Sequence, residues 1–140
     1  MIATSVVAMY VLMYLNTYSL DHVYWSQTRA WMALYMGAVM ALIMLAYMRG
    51  MYGNRTANIT ILALSIVVFG ASLYLLRSQR TVDDVAWMKA MIPHHSIAIL
   101  TSARARINDP RVRAPADQII ETQRREIAEM KGLIEDLQSP

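Results

Sequence analysis

Residues 81–110 read TVDDVAWMKAMIPHHSIAILTSARARINDP, and this stretch decides the fold of the polar end of the chain. Thr81-Val82-Asp83-Asp84 suits a helix start, because short oxygen-bearing side chains accept the unpaired amide hydrogens of a first turn. A helical pattern runs from there to about Ile107. Asn108-Asp109-Pro110 is a stop and a restart: Asp109 can cap, and Pro110 suits the first helical position, where no amide hydrogen is needed. A second helical pattern continues to about Leu137, and Pro140 ends the chain. No strand alternation appears. The spacing therefore predicts two antiparallel helices joined by a short turn. Pro93 either starts its helix or kinks it by removing one backbone bond, and Pro115 is expected to postpone the effective start of the second helix.

Upstream the character changes. The chain has 140 residues, 56% hydrophobic and 16% charged, against about 25% charged in a soluble domain. Residues 1–76 hold four charged side chains, Asp21, Arg29, Arg49 and Arg55, and the other 19 lie in residues 77–140. Charge-free runs of 20, 19 and 21 residues occupy 1–20, 30–48 and 56–76. About 20 apolar residues in a helix cross a hydrocarbon core of about 30 Å. The expected organisation is a membrane domain over 1–76 with three spans (about 2–20, 30–48 and 57–76), a connector at 77–82, and a helical hairpin domain at 83–137. The first run lacks a basic leader and an obvious small-x-small cleavage site, which favours a retained span over a signal peptide.

The connections support these boundaries. Gly50, Gly53 and Asn54 stand where a tight turn needs them. Tyr18, Tyr24, Trp25 and Trp31 cluster at the first connection, and Tyr47 and Tyr52 flank the second, as aromatic side chains do at a membrane interface. Three spans put the Asp21–Arg29 loop and the tail on one side, so His22, His94 and His95, all the histidines present, share a compartment. The balance of Arg and Lys slightly favours a cytoplasmic tail.

Composition narrows the chemistry. The absence of cysteine excludes disulfides, thiolate metal sites and cysteine nucleophiles. The tail carries ten basic and nine acidic residues, a mixed solvated surface that gives no reason to expect nucleic acid. Phosphate loops, dinucleotide fingerprints, serine-hydrolase elbows and HExxH are all missing from the sequence. Met32, Met36, Met40, Met44 and Met48 form an i+4 row on the second span, readable as a thioether path for a soft ion or, more simply, as pliable packing.

The tail places soft and polar groups on helical faces. Asp84, Met88, Met91 and His95 are spaced 4, 3 and 4, so they share one face of the first helix. Gln123, Glu126 and Met130 share one face of the second. Folding at residue 109 or 110 brings Met91, His95, Glu126 and Met130 to one level, with Gln123 nearby. An imidazole, two thioethers and a carboxylate form a soft-to-borderline donor set, which prefers Cu(I) or Ag(I) to zinc. The competing reading is that the methionines are core and the His–Glu pair a buried polar contact. His94 and His95, being adjacent, cannot both point inward.

Met88-Lys89-Ala90-Met91-Ile92-Pro93-His94-His95, then Asp109-Pro110-x-Val112, then Gln123-x-x-Glu126-Ile127-x-x-Met130, resemble the bacterial family called domain of unknown function 305. The resemblance covers roughly Asp83 to Leu137. It implies an all-α, ferritin-like helical bundle and an association with copper or silver outside the cytoplasm. By resemblance the metal candidates are Met88, Met91, His94, His95 and Met130. Thr101, Pro115 and Gly132 depart from the family pattern, and a mid-helix Gly costs about 1 kcal/mol relative to Ala. Longer members hold two hairpins and this chain one, so a four-helix bundle requires a homodimer or higher oligomer.

The expected function is a membrane-anchored metal-binding protein without catalytic turnover. It would hold copper or silver through Met88, Met91, His94, His95, Glu126 and Met130, with the hairpin on the periplasmic side of a bacterial inner membrane. The competing expectations are a metal-free structural or interaction module and a ferritin-like metal oxidase. The oxidase class usually needs several carboxylates with Glu-x-x-His motifs, which the tail lacks.

Overall fold

A computed structural model describes residues 1–48, 50–51 and 53–139. The expectations attached to Arg49, Tyr52 and Pro140 lie outside the described residues. Among these residues the chain is all-α, with five helices and no strand: α1 (Ile2–Leu12), α2 (Gln27–Tyr47), α3 (Arg55–Ser78), α4 (Asp84–Arg104) and α5 (Pro110–Gln138). They fall into two compact units. One comprises Met1–Met13 with Gln27–Thr81, the other Tyr14–Ser26 with Val82–Pro140.

The first unit packs small residues inward and large apolar ones outward. Ala33, Gly37, Ala38 and Ala41 are buried on α2, and Ser65 and Ser72 on α3. Small side chains let helix backbones approach closely. A Cβ placed on Gly37 would collide with Val6 Cγ2, so glycine is what permits the α1 contact there. Tyr35 and Phe69 meet edge-on at 6.2 Å. Ile59, Leu62, Leu64, Ile66 and Val67 remain exposed along α3. Asn54 caps α3 by accepting the Ala57 amide hydrogen at 3.0 Å. The methionine row along α2 is half-buried throughout.

Two helices, α2 and α3, are long and apolar enough to cross a membrane, not the three expected. The first span is corrected: α1 has 11 residues, a rise of about 16 Å, roughly half the hydrocarbon thickness. Hydrogen bonding explains the early end. The Arg29 guanidinium donates to the Met13 carbonyl, closing the C-terminus of α1 as a cation there should. Beyond it the chain leaves the helix: Thr17 Oγ1 donates to the Tyr14 carbonyl at 2.9 Å, and the Tyr14 hydroxyl to the Tyr24 carbonyl at 2.7 Å. Hydroxyl-bearing residues made this run charge-free without making it a span.

The second unit is a helical hairpin with a strap. Asp83 caps α4 by accepting the Ala86 amide hydrogen at 2.7 Å, and Asp109 caps α5 by accepting that of Arg111 at 2.8 Å. Pro110 begins α5, so Pro115 does not delay it, and α4 runs continuously through Pro93. Contacts of Lys89 with Gln138, His95 with Glu126 and Ser102 with Arg113 make the two helices antiparallel. Met88, Ile92 and Ile99 of α4 meet Ile127, Met130 and Ile134 of α5 in the core, with Tyr24, Val85, Met91 and Ile120 against it. These positions recur at 3 and 4, the apolar stripe of a helix facing a partner. The strap Tyr14–Ser26, with one 3-10 turn at Leu20–His22, belongs to this unit, although the sequence placed all of it in the membrane domain.

Candidate metal centre

The hairpin brings His95 and Glu126 together as the helical spacing predicts. His95 Nδ1 lies 3.1 Å from Glu126 Oε2, and Gln123 Nε2 donates to the same oxygen at 3.3 Å. Nδ1 is buried, and its contact with Glu126 is not aligned as a hydrogen bond. Burial pushes the His95 pKa below its ordinary value, the Glu126 charge pulls it back, and His94 adds to the decrease. The neutral imidazole, the metal-ligating form, is therefore favoured.

The remaining candidates divide. Met88 and Met130 are buried in the apolar core, and Met91 packs against it. His94 is exposed, its ring centre 6.1 Å from that of His95 and tilted by 60°. Asp84 is exposed at the first turn of α4. Among the described residues no group of three or more His, Asp or Glu is placed to hold a metal ion. Among those residues there is thus no oxygen-rich cage for a hard cation, and the group that stands at the His–Glu pair is the Gln123 amide.

A second polar knot had no signal in the sequence. Ser96 is fully buried; its Oγ accepts the Tyr18 amide hydrogen at 2.7 Å and stands 2.9 Å from His22 Nδ1. A hydroxyl has two lone pairs, so Oγ can take the Tyr18 hydrogen and still either donate to or accept from the ring, whose other nitrogen is Nε2. That nitrogen is 3.8 Å from Asp21 Oδ2, and Lys131 forms an ion pair with the same carboxylate. Burial lowers the His22 pKa, Asp21 opposes and Lys131 reinforces the decrease. Arg124 lies over the Tyr18 ring at 5.9 Å. Serine, histidine and aspartate meet here, but Ser96 lies in mid-helix with no exposed surface, so the hydroxyl fastens the strap rather than attacking a substrate. Residues 74 to 110 positions apart form these contacts, and no local pattern announces them.

The domain of unknown function DUF305 matches residues 84–140, the segment that carries α4, α5 and the His95–Glu126 pair. An uncharacterized protein of Acanthamoeba polyphaga mimivirus is 31% identical over 144 residues, covering 97% of this chain and 92% of that one. The chain belongs to the DUF305 family. Its likeness to the viral protein extends beyond the DUF305 segment into the apolar helices. No solved structure matches the chain.

Proposed function

We propose that this DUF305 protein is a membrane-anchored binder of copper or silver. The observation that carries the reading is the His95 Nδ1–Glu126 Oε2 pair: a buried ring nitrogen with no aligned hydrogen bond beside a carboxylate. Met91 lies one turn from His95 and Met130 one turn from Glu126, so a rearrangement that turns these side chains out of the apolar packing would add thioethers to the pair. Thioether donors select Cu(I) or Ag(I), and imidazole also suits Cu(II). His94 faces outward and is the candidate least able to join, while Met88 and Met130 must leave the core to do so. The activity is capture and release without turnover.

Anchoring rests on α2 and α3. Only 22% and 11% of their apolar windows is buried, whereas the core helix of a soluble protein is mostly buried. Two crossings leave the residues before α2 and after α3 in one compartment, so His22 and the hairpin share it. A thiol-free ligand set tolerates oxidising surroundings, which supports the reading of a hairpin outside the cytoplasm, in a bacterial periplasm. Trp87, Val112, Ile119 and Leu133 are exposed on the hairpin and offer a second hairpin the surface for a ferritin-like four-helix bundle.

The burial of Met88 and Met130 favours a second reading, a metal-free interaction module in which the methionines only pack. Metal analysis of the full chain purified in detergent with copper separates the two. The proposal expects about one bound ion per site, absent from His95→Ala; absence of metal from the parent protein supports the module.

A further inference from the structure

The membrane unit has cations but no anion of its own. Residues 1–13 and 27–81 contain Arg29, Arg49, Arg55, Arg77 and Arg80 and no Asp or Glu. Two of these arginines are used internally: Arg29 on the Met13 carbonyl, and Arg80, whose Nη1 donates to the Tyr74 hydroxyl at 2.9 Å. Arg55 instead lines an apolar groove of about 350 Å³ between α2 and α3. Leu42, Leu45, Ile59 and Leu62 form its apolar walls, and Asn58 is its other polar lining residue. Arg55 is the first residue of α3 and Leu45 lies in the last turns of α2, so the guanidinium sits at the helix-end level of the groove. The positive end of the α3 dipole adds to its field.

We propose that this groove seats one anionic phospholipid, its phosphate on the Arg55 guanidinium and an acyl chain along Leu42, Leu45, Ile59 and Leu62. The inference rests on the membrane anchoring proposed above. Guanidinium matches phosphate with paired hydrogen bonds, and basic pockets between membrane helices are where anionic headgroups bind. A free phosphate shares the headgroup chemistry but leaves the apolar walls uncovered, so the lipid is the ligand that satisfies both parts.

Native mass spectrometry of the full chain released from detergent tests this, with dioleoyl phosphatidylglycerol, dioleoyl phosphatidylcholine and inorganic phosphate as separate additions. The parent protein is expected to retain phosphatidylglycerol in preference to phosphatidylcholine and to show no phosphate adduct. Arg55→Gln is expected to lower retention about tenfold, the worth of one charge-assisted hydrogen bond, while Arg80→Gln leaves it unchanged. Leu62→Trp, which fills the groove and keeps Arg55, is expected to lower retention as well, with helicity intact by circular dichroism. Equal retention by Arg55→Gln and the parent, equal retention of both lipids, or a phosphate adduct of equal strength overturns the lipid site. Flotation with pure phosphatidylcholine vesicles tests anchoring separately. A chain that floats but shows no Arg55-dependent retention loses only the lipid site, and one that does not float loses both.

Discussion

Glu126 Oε2 lies 3.1 Å from His95 Nδ1 across the α4–α5 hairpin, and the two atoms are not aligned as a hydrogen bond. A buried polar atom without a well-made partner costs about 1–3 kcal/mol. The pair is therefore a poor choice for stability alone, and this is what supports the cation site proposed for it.

Ser96→Ala removes the acceptor of the Tyr18 amide hydrogen and the hydrogen-bond partner of His22 at one stroke. The full chain is expected to lose about 1–3 kcal/mol in chemical unfolding, because two partners inside the second unit are left unsatisfied. Protease cleavage within Tyr14–Ser26 should accelerate in step. A midpoint unchanged from the parent would show that the knot does not fasten the strap.

Acid should weaken the strap in two windows. His22 is depressed below its ordinary 6.5 by burial, so the unfolded chain binds more protons near that pH. Its stabilisation is complete above pH 6.5 and is lost as pH falls through the lower folded value. Asp21 is held at about 2, chiefly by Lys131 and then by Ser19, so its contribution is present above 3.8 and disappears as pH falls through about 2. Denaturant midpoints measured from pH 8 downward should fall less steeply below 6.5 in His22→Gln, the remaining slope belonging to His95. Lys131→Gln should flatten the lower window. Superimposable profiles for the parent and His22→Gln would refute the first assignment.

Gly37→Ala puts a methyl where Val6 Cγ2 already stands. Val6 is β-branched and stiff at χ1, so the α1 contact must open or strain. An overpacking cost of about 1–3 kcal/mol is expected in thermal unfolding in detergent. Adding Val6→Ala should recover most of it. Full stability of the single variant would mean that α1 is not packed closely on α2.

The hairpin was legible because its determinants are local. Asp83, Asp109 and Pro110 set both helix starts, without the delay expected from Pro115, and the i+4 rows put His95 opposite Glu126 once the turn was located. The methionines show the limit of that logic. A donor face and an apolar stripe have the same 3.6-residue period, so spacing could not separate a ligand from the core positions that Met88 and Met130 occupy. The first span failed for a different reason. Freedom from charge is not apolarity, and Tyr14, Asn16, Thr17 and Ser19 belong to a strap whose anchors, Ser96 and Lys131, lie far along the chain. Such contacts leave no periodic trace.

Equilibrium Ag(I) titration of the full chain in detergent, compared with His95→Ala, Glu126→Gln and His94→Ala, tests the metal centre most directly. His95→Ala and Glu126→Gln are expected to weaken binding about 10–100-fold, the usual effect of removing a ligand or the group that orients it. His94→Ala, altering an outward-facing ring, is expected to leave affinity within about twofold of the parent on the same scale. Equal affinity in all four proteins would contradict the metal centre.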